Sequence, residues 1–209
     1  MKPSALAFIN MGSSLPSGRT IEDMAKRNDL FQSLDSNGNG SITLSEIERG
    51  IRAHFRECST PFDFGSTISR AVAATKNLQR LASNGNTASE LIDKSEFRLI
   101  LLYIKQSLEL RAIFDGMNRS DNTSVTVKEV TSVATLLSKW GLALGDIESA
   151  FRDIDEQHSG KVPFGDFADW AIRHHVLGDV WRATAPASSS APVTPKRLPD
   201  EANPEQPKP

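Results

Sequence analysis

The sequence predicts an all-α protein of two lobes, each a pair of helix–loop–helix units, with short β contacts between the loops and a disordered C-terminal tail. Three observations predict it. A twelve-residue loop, DSNGNGSITLSE at residues 35–46, is dense in oxygen-bearing side chains and is flanked by apolar stripes at helical spacing. Segments of the same length and flanking pattern recur at 85–96, 118–129 and 155–166. Beyond residue 182, prolines recur among Ala, Ser and charged residues with no apolar period.

Residues 1–19 read as a flexible arm, because the apolar run Ala5 to Ile9 is short and Lys2 stands alone before it. The N-terminal lobe, residues 20–105, begins at Thr20, a suitable N-cap. Leu30, Phe31 and Leu34 lead into the first loop, and Leu44, Ile47, Ile51 and Phe55 leave it. The loop matches the calcium loop of an EF-hand. Calcium takes six to eight oxygens, and this spacing offers the side chains of Asp35, Asn37 and Asn39, the Ser41 carbonyl and a bidentate Glu46. Gly40 stands at the sharp turn, Ile42 at the β-branched position and Thr43 at the ninth. An Asn/Gly/Ser-rich surface turn would share the composition, but not the glycine, the glutamate and both stripes together.

The second loop, GNTASELIDKSE, is the most eroded: Gly85 replaces the first acid and Glu90 the turn glycine, while Ile92 and Glu96 remain. From Glu90 to Met117 glycine occurs only at Gly116, so the helix leaving this loop should run on into the helix of the third, stiffly joining the lobes. The C-terminal lobe spans 106–182. Its third loop, NRSDNTSVTVKE, has Asn118 for the first acid and Thr123 for the glycine, and Glu129 alone is a poor calcium ligand. The fourth, DEQHSGKVPFGD, keeps Gly160, with Asp155, Gln157, Ser159, the Lys161 carbonyl and Asp166 as a weak site. Its short terminal carboxylate favours magnesium over calcium. Ile42 with Ile92, and Val125 with Val162, should form the inter-loop contacts. Residues 183–209 form the tail.

A net charge of −2 with dispersed Lys and Arg excludes a nucleic-acid stripe or a polybasic membrane patch. No apolar run reaches the roughly 18 residues of a transmembrane helix. Cys58, the one cysteine, can form no internal disulfide and fits a reducing compartment. His54, His158, His174 and His175 lack ligand spacing such as HExxH, and there is no phosphate-cradling glycine loop, so an enzyme is not expected.

Several segments resemble the flagellar calcium-binding proteins of trypanosomatids, the calflagins. They are EFRLILLYIK (Glu96 to Lys105) with Leu110, FDGMNRSDN after it, Lys139-Trp140-Gly141, and FGDFADWA around Trp170. The resemblance covers about residues 20–175. It implies a calcium-dependent change of conformation and of membrane association, with N-terminal acyl groups as the anchor. The chain departs from that pattern in opening Met1-Lys2-Pro3 rather than Met-Gly-Cys, so no lipid anchor is expected. The expected function is calcium-dependent regulation through one main site in the first hand. It would act on a protein partner in the cytoplasm or flagellum, a flagellar or cytoskeletal protein among the candidates, through a groove near Phe31, Leu34, Ile47, Ile51 and Phe55. The alternative is a structural adaptor that binds its partner regardless of calcium.

Overall fold

The computed structural model describes residues 5–57, 61–82, 89–118, 123–135, 147–155 and 158–172. Helix α1 spans Ala5–Ser14, α2 Ile21–Leu34, α3 Leu44–His54, α4 Phe64–Ala82 and α5 Lys94–Met117. Strand β1 (Ser124–Val125) precedes α6 (Val127–Ser132), and α7 (Ile147–Ile154) precedes β2 (Val162–Pro163) and α8 (Phe164–Ala171). Cys58, Gly85, Trp140, Gln157, His174, His175 and the tail 183–209 lie outside the described residues.

The helices begin where side chains can hold backbone donors. Thr20 Oγ1 accepts from the Asp23 N–H and caps α2. At α3 and α5 the cap is reciprocal. Thr43 Oγ1 accepts from the Glu46 N–H while the Glu46 carboxylate accepts from the Thr43 N–H, and Asp93 and Glu96 repeat the exchange. Each such box satisfies two donors that a helix N-terminus otherwise leaves orphaned.

The loops pair through one position each. Ile42 and Ile92 form an antiparallel bridge with both N–H···O bonds at 2.9 Å, and Val125 faces Val162 in the short β1–β2 ladder. All four side chains are essentially buried, so each bridge is also a small apolar core between two loops. The Ile42–Ile92 bridge fixes the register of the eroded second loop, aligning its eighth position with the eighth position of the first.

Helix α5 is the spine. It runs unbroken across the expected lobe boundary at 105/106, and Phe97, Ile100, Leu101, Ile104, Leu108 and Phe114 are buried along it. A chain of aromatic contacts ties the two pairs of hands together. Phe62 lies 6.3 Å from Phe164, Phe164 lies 5.3 Å from Phe114, and Phe114 lies 5.9 Å from Phe167. Edge-on and tilted rings at these separations are favourable beyond their buried area.

Residues 5–14, expected as part of a flexible arm, instead form α1 against α5. Phe8, Met11 and Leu15 recur at helical spacing, and all three are buried, Phe8 completely. Burying such a side chain stabilises by about 1.5–3 kcal/mol each, enough to order one amphipathic helix. Gly12 sits at the closest approach, where a Cβ would come within 3.2 Å of the Lys105 carbonyl oxygen. The segment leading to α2 is fastened as well, since the Arg27 guanidinium donates to the Pro16 and Gly18 carbonyls at 2.8 and 3.1 Å.

Candidate metal centre

The first loop connects α2 to α3. Asp35 ends α2, its own N–H still bonded to the Phe31 carbonyl, and its carboxylate turns into the loop. Oδ1 accepts from the Asn39 N–H at 3.1 Å and Oδ2 from the Gly40 N–H at 2.8 Å. Asn37 Oδ1 accepts from Asn39 N–H, and Asn39 Oδ1 from Ser41 N–H. Four oxygens of these three side chains therefore converge on one stretch of backbone. Gly40 makes this possible with a φ of 79°, a left-handed conformation that costs other residues steric strain.

Glu46 closes the ring. Its Oε2 accepts from the Thr43 N–H and hydroxyl, both at 2.9 Å, and its Oε1 accepts from the Ser36 hydroxyl at 2.8 Å. The Thr43 N–H, followed by the Ser36 and Thr43 hydroxyls, holds the Glu46 carboxyl down at about 2. Among the described residues no cation stands within ion-pair distance of it. The carboxylate is ionised, only partly buried and held by neutral donors, a state suited to meeting a hard divalent cation. The donor set fits calcium in kind, with two carboxylates, two amide oxygens and the Ser41 carbonyl. It is sparse in charge: no group of three or more His, Cys, Asp or Glu side chains that could hold a metal occurs among the described residues.

The second and fourth loops differ at their last position, while the third holds its glutamate with the same kind of donors as the first. In the second, Glu96 is buried and its Oε1 accepts from Lys76 Nζ of α4 at 2.6 Å; the same ammonium donates to the Leu91 carbonyl at 2.6 Å. In the third, Glu129 accepts from the Thr126 N–H and hydroxyl, and Asn118 is buried; residues 119–122 lie outside the described set. In the fourth, Asp155 repeats the pattern of Asp35, accepting from the Ser159 N–H at 2.9 Å and the Gly160 N–H at 2.7 Å around a glycine with φ 73°. Ser159 Oγ donates to the Lys161 carbonyl. Asp166, however, faces Arg70 of α4 at 3.4 Å, and the same guanidinium bonds Asp169 at 2.5 Å. The fourth loop thus keeps its backbone cradle, while the carboxylate expected to favour magnesium is engaged with a cation of the protein. Sequence reasoning missed Lys76 and Arg70 because their partners lie 20 and 96 residues away.

The residues named for the partner groove, Phe31, Leu34, Ile47, Ile51 and Phe55, are all core in this structure. No helix among the described residues is long and apolar enough to cross a membrane.

Comparison with known proteins agrees with this architecture. Residues 11–104 match the family model of the FCaBP EF-hand domain, a span from the end of α1 into the first half of α5 that includes both loops of the first pair. Flagellar calcium-binding protein TB-17 of Trypanosoma brucei brucei is 28% identical over 176 residues, 83% of this chain and 75% of its own length. TB-24 of the same organism is 27% identical over the same share of this chain and 80% of its own. The flagellar calcium-binding protein of Trypanosoma cruzi is 28% identical over 76% of this chain and 74% of its own length. With its loops paired two by two, the chain is similar to the flagellar calcium-binding proteins along most of its length, and to their EF-hand domain over residues 11–104.

Proposed function

We propose that the chain is a calcium-responsive regulatory protein with one principal site in the first loop, formed by Asp35, Asn37, Asn39, the Ser41 carbonyl and Glu46. The observation that carries this is the state of the last ligand. Glu46 is ionised and held by neutral donors, whereas Glu96 and Asp166 each face a cation of the protein. With two carboxylates in the set, affinity falls in the sensor range of roughly 10⁻⁷ to 10⁻⁵ M or weaker. Calcium would act by opening the α2–α3 pair, exposing apolar surface around Phe31, Ile47 and Ile51 to a protein partner. A place in the flagellum, by analogy with the relatives' names, belongs to the same proposal.

The two ion pairs from α4 favour a second reading, an adaptor whose shape is fixed whatever the calcium level. One experiment separates them. Binding of an apolar dye, together with near-UV circular dichroism, is followed as calcium is added to the EDTA-treated chain. The regulatory reading requires dye binding to rise and the aromatic signal to change at saturation, and an unchanged signal at full occupancy favours the adaptor.

A further inference from the structure

Lys76 contacts two atoms with a shared meaning. Counted in the register that the Ile42–Ile92 bridge enforces, Leu91 is the seventh residue of the second loop and Glu96 the twelfth. Their counterparts in the first loop are the Ser41 carbonyl and the Glu46 carboxylate, two of the oxygens assigned to calcium there. The Lys76 ammonium donates to both second-loop oxygens at 2.6 Å. It does so in a shielded place, with side-chain exposures of 12% for Lys76 and 3% for Glu96.

The two loops hold their last carboxylate in a similar way at the helix start, which makes the difference informative. Glu96 Oε2 accepts from the Asp93 N–H at 2.9 Å, as Glu46 Oε2 accepts from the Thr43 N–H at 2.9 Å. The other oxygen meets a different kind of donor: Ser36 Oγ meets Glu46 Oε1, and Lys76 Nζ meets Glu96 Oε1. A carboxylate this buried requires a compensating charge. The ninth residue shares the environment. Burial pushes the Asp93 carboxyl up, but hydrogen bonds from Glu96 and Ser95 and the charge of Lys76 outweigh this and hold it below its ordinary value.

We propose that the Lys76 ammonium takes the place of the metal ion in the second hand, holding its loop folded and paired with the first loop when no calcium is present. The absent ligands of this hand then make sense together. With Gly85 at the first position there is no acid for a divalent ion, and a single positive charge needs only the carbonyl and the glutamate. The consequence falls on the first loop, which binds calcium against a partner already in place, so that one ion serves a pair of hands. In the fourth hand a cation of the same helix also faces the twelfth position, Arg70 lying 3.4 Å from Asp166 while bonding Asp169 more closely at 2.5 Å.

The test uses the full chain with Lys76→Met, read in EDTA by amide hydrogen exchange and then by calorimetric calcium titration. Exchange at Ile42 and Ile92 should accelerate on the order of tenfold or more, as expected when a buried charge loses its partner, and calcium binding at the first loop should weaken. Unchanged exchange at both amides would overturn the proposal. Should the single variant not fold, Lys76→Met with Glu96→Leu decides. Removing both charges should restore the fold and the bridge, and failure to restore them would show that Lys76 does something other than neutralise Glu96. The exchange measurement in EDTA is independent of calcium, so a first loop that binds no ion would defeat the proposed function and leave this result standing.

Discussion

Replacing Ile92 by alanine tests whether the eroded second loop is a structural half of the calcium site. Ile92 and Ile42 are fully buried, and their backbone bonds, both 2.9 Å, would survive the change. What is lost is the side chain, part of the same buried core as Phe31 and Phe97. Isoleucine-to-alanine truncation in a core costs about 2–5 kcal/mol, the spread reflecting how far the site collapses. Complete burial places this site near the middle, about 3 kcal/mol. For a chain of this size 1 kcal/mol shifts the melting temperature by about 2–4 °C, so a fall of about 6–12 °C is expected in EDTA. Ile21→Ala is the control, since Ile21 is 86% exposed and should change stability by less than about 0.5 kcal/mol. Thermal unfolding followed by far-UV circular dichroism measures both. An Ile92→Ala curve coinciding with that of the control would refute the claim that the bridge is core.

Phe8→Ala should destabilise by about 3–5 kcal/mol because its ring is wholly buried near Phe62, and an unchanged melting temperature would return residues 5–14 to a flexible arm. Glu46 predicts a pH dependence. Its folded pKa lies below the ordinary carboxylate value, so its stabilising contribution is present above about 4.5 and disappears as pH falls towards about 2. The gap in calcium-free stability between the wild type and Glu46→Gln should therefore close over that window, and a gap independent of pH would contradict the hydrogen-bonding account of Glu46.

Twelve-residue spacing made the loops, their pairing and the candidate ligands legible. Ile42, Ile92, Val125 and Val162 could be placed opposite one another because a hand fixes the distance from its glutamate to its β-branched residue. The helix α1 was legible in principle, since Phe8, Met11 and Leu15 share a face, but a short stripe bracketed by Gly12 and Pro16 reads equally as a tail until α5 is beside it. The cations at Glu96 and Asp166 were not legible. Lys76 and Arg70 sit on α4 among ordinary solvated charges, and only the packing of α4 against α5 and the reach of Arg70 to α8 give them partners. Local pattern thus identified which loops had lost ligands, and tertiary contact revealed what stands in their place.

The most direct test of the single-site claim is a calorimetric calcium titration of the wild type beside Glu46→Gln. Outer partners of a metal ligand are commonly worth 10–100-fold in affinity, so removing a charged ligand should weaken binding by about 100-fold or more. The account predicts one site per chain in the wild type and its loss from the measurable range in the variant. Two or more comparable sites, or binding undiminished in Glu46→Gln, would contradict it.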